Sequence, residues 1–133
     1  MPFHLIRPRT TGRWDLTAAM DAIAPVTSGQ FIVEREGDTV WMDFRTLVAE
    51  PQGTTHAAWR GLLPVGMRPP ASASLNYTDL ALPQRTSDDS AGPVRVDIYG
   101  GIDVYRHTGP IRGLVAFRTI QPMIASVPGG VRL

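Results

Sequence analysis

The chain carries three histidines, two strand-spaced glutamates, one aspartate pair and six tryptophan or tyrosine rings that could do chemistry beyond packing. His4, His56 and His107 lie far apart, and none has a second ligand at H-x3-H or H-E-x-x-H spacing. A three-fold assembly can gather copies of one histidine on its axis, but nothing selects which, so no metal site is expected. Asp88 and Asp89 are adjacent, so their carboxylates point apart, and no D-x-D-x-D-G loop follows. They read as a solvated loop tip. Glu34 and Glu36 share a strand face roughly 6–7 Å apart, a separation that glycosidase carboxylates also show. A polar face beside a hairpin turn accounts for them better. The chain has no cysteine and no G-x-S-x-G, and Ser28-Gly29 simply precedes a strand. Gly100-Gly101 and Gly129-Gly130 lack the spacing and the following helix of a phosphate loop. The expectation is a protein that is not an enzyme and needs no cofactor.

The aromatic residues are the stronger lead. Trp14, Trp41 and Trp59, with Tyr77, Tyr99 and Tyr105, exceed what a small core requires. Aromatic faces pack on the apolar faces of sugars, which makes Trp14, Trp59 and Tyr77 candidate glycan contacts. Core or subunit-interface packing is the competing reading for each. Trp41 alternates out of phase with Val40, Met42 and Phe44. If those three face the core, Trp41 lies on the outer face, where an oligomer contact can cover it.

The elements that must position these residues are mostly strands. FIVERE, Gly37-Asp38 and TVWMDFRTL form a period-two pattern around a tight turn, and glycine at the first turn position favours type II′. Strands are expected within 56–63, near 74–80, from Val94 to Tyr99, around 102–106 and at 114–120. Residues 83–93, PQRTSDDSAGP, form a polar surface loop. Leu16, Met20 and Ile23 fall at helical spacing within 14–25, with Asp15 or Thr17 as cap and Pro25 as stop. The stretch is short, and helix and extended structure remain open there. Seven or eight short strands with at most one short helix predict an all-β, antiparallel β-sandwich of jelly-roll type. It occupies residues 1–133 as one domain, with short arms at 1–13 and 121–133.

Composition agrees and narrows the partners. The 133 residues suit a single domain. All thirteen basic residues are arginine, scattered from Arg7 to Arg132 and balanced by twelve acids, so no nucleic-acid face is expected. No apolar run approaches the ~20 residues of a membrane span, and the N-terminus lacks a signal-peptide core.

Taken in order, GRWDLT, SGQFIVEREGDTVWMDF, LLPVGMRP and VDIYGGIDVY resemble the β-sandwich domains of phage minor tail and tail-fibre proteins of actinobacterial hosts. The likeness covers about residues 12–120. It rests on Arg35, Gly37, Asp38 and Val40 in a hairpin, then on Leu63, Pro64, Gly66, Arg68 and Pro69 in a turn, and on Gly100 and Gly101. The resemblance implies a virion structural protein, a homotrimer on the tail that meets a host-surface glycan. The terminal arms would then dock to neighbouring virion proteins. A capsid decoration or head-fibre protein is the alternative. An arginine-only composition fits the codon bias of a GC-rich phage genome.

Overall fold

Nine strands and one α-helix carry the described part of the chain. The computed structural model describes residues 12–50, 56–71, 75–82, 93–105, 110–122 and 126–133. His4, His107, Asp88 and Asp89 therefore lie outside the described residues, as do nearly all of the expected N-terminal arm and surface loop. The order is β1 (Gly12–Asp15), α1 (Thr17–Ile23), β2 (Val26–Glu36), β3 (Thr39–Ala49), β4 (Ala57–Trp59), β5 (Tyr77–Leu80), β6 (Val94–Asp97), β7 (Ile102–Val104), β8 (Ile111–Arg118) and β9 (Val131–Arg132). A five-stranded sheet runs β8-β3-β2-β1-β9, and a four-stranded sheet runs β4-β7-β6-β5. All pairings are antiparallel. The protein is an all-β sandwich. Its four-stranded sheet is a Greek key, with the β5-β6-β7 meander closed by β4 beside β7.

The β2–β3 hairpin turns where the pattern places it, with Glu36 opposite Thr39. Gly37 has φ 57°, and Asp38 does not share the positive sign, which suits a type II′ turn. Val33, Val40 and Met42 are fully buried, whereas Trp41 is exposed on the other face. Strand β2 begins at Val26, five residues before the alternation does, because Ser28 to Gln30 form an irregular stretch that breaks the period.

The helix alternative holds for 17–23. Asp15 Oδ1 accepts from the Thr17 amide at 2.8 Å, an i to i+2 bond that starts the turn. Leu16 and Met20 enter the core, but Ile23 faces solvent. The residues just before the helix are extended and pair as β1 with β2. Within the expected C-terminal arm, Val131 pairs with Asp15 and Arg132 with Trp14, and Val127 is buried.

Both sheets contribute to one core, including Phe31, Phe44, Trp14, Trp59, Val96, Ile102 and Ile111. Phe31 and Phe44 pack cross-strand with centroids 5.0 Å apart and planes tilted by 41°, a pair worth about 0.5–1.5 kcal/mol beyond area burial.

The β6–β7 turn shows how tightly the sandwich end is built. Asp97 Oδ1 accepts from the amides of Tyr99 and Gly101, each at 2.8 Å. Gly100 has φ 85°, and a Cβ there would stand 2.2 Å from the Leu63 carbonyl oxygen. That oxygen already accepts from Arg68 Nε at 2.8 Å, while Leu63 N donates to Gly100 O at 2.9 Å. Gly100→Ala is expected to cost about 2–4 kcal/mol, combining left-handed strain with a backbone clash. Urea denaturation reads this directly, and a loss below ~1 kcal/mol would show that the turn can move away.

Candidate functional site

The outer face of the four-stranded sheet gathers most of the polar aromatic chemistry. In β5, β6 and β7 the residues alternate: Val94, Val96, Ile102 and Val104 go to the core, leaving Arg95 and Asp103 on the outer face. Tyr77 and Asp79 occupy the same face of β5, which pairs Asp79 with Arg95. Arg95 in turn pairs with Asp103 of β7. His56 and Tyr105 extend the ladder where Ala57 pairs with Val104.

Four planar groups stack across these strands. The His56 and Tyr105 rings lie 4.6 Å apart with planes 2° from parallel. The Arg95 guanidinium sits 3.6 Å from the Tyr77 centroid and 5.5 Å from that of Tyr105. Each cationic or basic group has its own carboxylate. Arg95 Nε and Nη2 donate to the two Asp79 oxygens at 2.9 and 3.2 Å. His56 Nε2 and Asp103 Oδ1 share a hydrogen bond of 3.0 Å. The Asp79 hydrogen bond holds the Arg95 pKa above its ordinary value, so the guanidinium stays charged at every working pH. With strands about 4.8 Å apart, the ladder spans roughly 15 Å.

These groups are half exposed: the side chains of His56 and Asp79 are 39% and 42% accessible. The platform offers hydroxyls, carboxylate oxygens and guanidinium N–H groups beside apolar ring surface. Beyond Ala58, the cross-strand neighbour of Asp103, lies an open depression of about 360 Å³ lined by Ile23, Pro25, Ala58 and Arg60. Among the described residues no three His, Asp or Glu side chains converge as metal ligands. The arrangement suits recognition by stacking and hydrogen bonding.

Of the three candidate sugar contacts, only Tyr77 belongs to this surface. Trp14 is 2% exposed and Trp59 is fully buried, so neither ring can meet a ligand. The burial of both rings has a simple cause. Gly12 and Trp14 alternate inward against Arg13 and Asp15, and Trp59 closes β4 with its Nε1 donating to the Ala24 carbonyl at 3.2 Å. By residue type His56 enters only as a lone histidine and Tyr105 only as one of six aromatic rings, and Asp79, Arg95 and Asp103 do not stand out. Their signal is the i, i+2 pairing of Tyr77 with Asp79 and of Asp103 with Tyr105 on alternating strands.

A second cluster surrounds Arg35, which is only 4% exposed. Its Nε donates to Gly37 O at 2.8 Å. Nη1 donates to Gly66 O at 2.5 Å and to Pro122 O at 3.1 Å, and Nη2 donates to Gln121 O at 2.7 Å. Nearby, the buried Thr119 hydroxyl donates to Arg68 O at 2.7 Å. The arginine fork thus joins the hairpin turn, the LPVGM turn and the segment after β8. This is a structural latch, closed to ligands.

No family model, no curated protein and no solved structure matches the chain.

Proposed function

We propose that this protein is a virion structural module of a phage tail, a minor tail or tail-fibre component that contacts a host-surface glycan. The observation that carries the binding role is the His56–Tyr105–Arg95–Tyr77 ladder, a half-exposed planar stack with its own carboxylates. Buried pairs of this kind would serve packing. An exposed one orders side chains in advance, which lowers the entropic cost of binding a flexible saccharide. The phage reading draws support from the motifs that resemble tail domains: the Arg35–Gly37 hairpin and the Gly66 turn meet in a single latch.

The test is binding of the full chain to a host cell-wall polysaccharide panel. Tyr105→Ala and Arg95→Ala are each expected to weaken binding at least tenfold, or about 1.4 kcal/mol. Unchanged affinity in both variants would remove the ladder as the contact surface. Gold labelling of virions separates the two placements. Label at the tail is expected, and label confined to capsid faces would favour the decoration or head-fibre alternative.

A further inference from the structure

The opposite face of the molecule carries a different kind of surface. On the five-stranded sheet, Trp41, Leu114, Val131 and Leu133 are exposed on the side away from the core, at 37%, 55%, 61% and 59%. The register sets them in two rows. One runs Val131, Asp15, Ile32, Asp43, Leu114. The next runs Arg13, Glu34, Trp41, Ala116, with Leu133 N bonded to Arg13 O at its end. Trp41 lies between exposed apolar groups at the two edges, Leu114 on β8 and Val131 on β9, while Ile32 in mid-row is only 2% exposed. Tryptophan and arginine are the residues enriched at protein interfaces.

Charge on this face is split by strand. The β1–β2 half bears Asp15, Glu34 and Glu36 against Arg13. The β3–β8 half bears Arg45, Arg112 and Arg118 against Asp43. One half therefore has an excess of two acids and the other an excess of two arginines. A second copy turned about a two-fold axis parallel to the strands lays β8 over the partner's β1. The acidic half of each copy then meets the basic half of the other. An axis perpendicular to the strands would set like charge on like charge. We propose that the outer face of the five-stranded sheet is a self-association surface, occupied by a second copy of this chain across a two-fold axis running along the strands.

The four strands that overlap, β8, β3, β2 and β1, lie about 4.8 Å apart and overlap over roughly 24 Å on average, giving about 460 Å² per copy, near 900 Å² in total. That is the lower end for a specific interface, so micromolar association is expected. This surface is independent of the ladder.

Trp41 supplies a built-in probe, because it is the exposed one of the three tryptophans while Trp14 and Trp59 are buried. Light scattering on the full chain should show a dimer at 100 µM and a monomer at sub-micromolar concentration. Acrylamide quenching of Trp41 should fall as the dimer forms. Leu114→Glu should abolish both changes while far-ultraviolet circular dichroism stays native. Arg118→Glu should weaken the dimer at least tenfold. A monomer at 100 µM overturns the proposal, and Trp41 shielded in that monomer assigns the face to another segment of the same chain. A trimeric mass overturns the two-fold arrangement. A dimer indifferent to Leu114→Glu and Arg118→Glu places the contact elsewhere.

Discussion

Arg35→Met is expected to remove about 3–5 kcal/mol of folding stability, a large part of the ~5–15 kcal/mol that a domain of this kind holds. Methionine keeps the apolar stem of arginine as far as the Nε position, so lost stem packing is not the main cause. The cost comes from the partners. Gly66, Gln121, Pro122 and Gly37 each present a carbonyl oxygen to the guanidinium. Backbone carbonyls cannot be mutated away with their partner, and an orphaned buried one costs about 1–3 kcal/mol. Gly66 is buried and loses most, whereas Pro122 is exposed and can turn to water. Arg35→Lys should recover only part of the loss, because an ammonium is a point donor that cannot span four oxygens set around a fork. Urea denaturation should show a lower midpoint with an unchanged slope. A loss below ~1 kcal/mol for Arg35→Met would mean that the three segments hold together without the latch.

That latch also marks the limit of what the sequence discloses. Arg35 alternates in phase with Phe31 and Val33, so its inward direction is legible from period two. Its partners are not, since Gly66 and Gln121 lie 31 and 86 positions along the chain. The hairpin at Gly37-Asp38 was legible because its determinants are local. Strands β1 and β9 were not, since four and two residues are too few to show a period. The ladder follows the same rule. That Arg95 and Asp97 share the face opposite Val94 and Val96 can be read directly. That His56 meets Tyr105 depends on the Greek key bringing β4 beside β7, which no local pattern encodes. Tryptophan identity misleads for a related reason: ring size favours burial and binding alike, and only the neighbours decide which.

Trp59 turns that ambiguity into a measurement. Trp59→Ala is expected to destabilise the fold by about 3–5 kcal/mol, the usual cost of emptying a buried aromatic site. Its Nε1–H bond to the Ala24 carbonyl adds roughly 1 kcal/mol, because that oxygen belongs to the buried residue that ends α1 and would lose its donor. The midpoint of thermal unfolding should fall by roughly 10–20 °C. Trp59→Phe keeps most of the ring volume and loses the hydrogen bond, so its cost should be nearer 1–2 kcal/mol. A structural tryptophan and a ligand contact now give opposite signatures. Trp59→Phe should leave polysaccharide affinity unchanged while lowering stability. Tyr105→Ala, half exposed at the end of β7, should do the reverse, costing under ~1 kcal/mol of stability while binding falls. If Trp59→Phe abolished binding in a chain that still unfolds near the wild-type temperature, the ring would have to reach the surface, and the buried site described for it would be wrong.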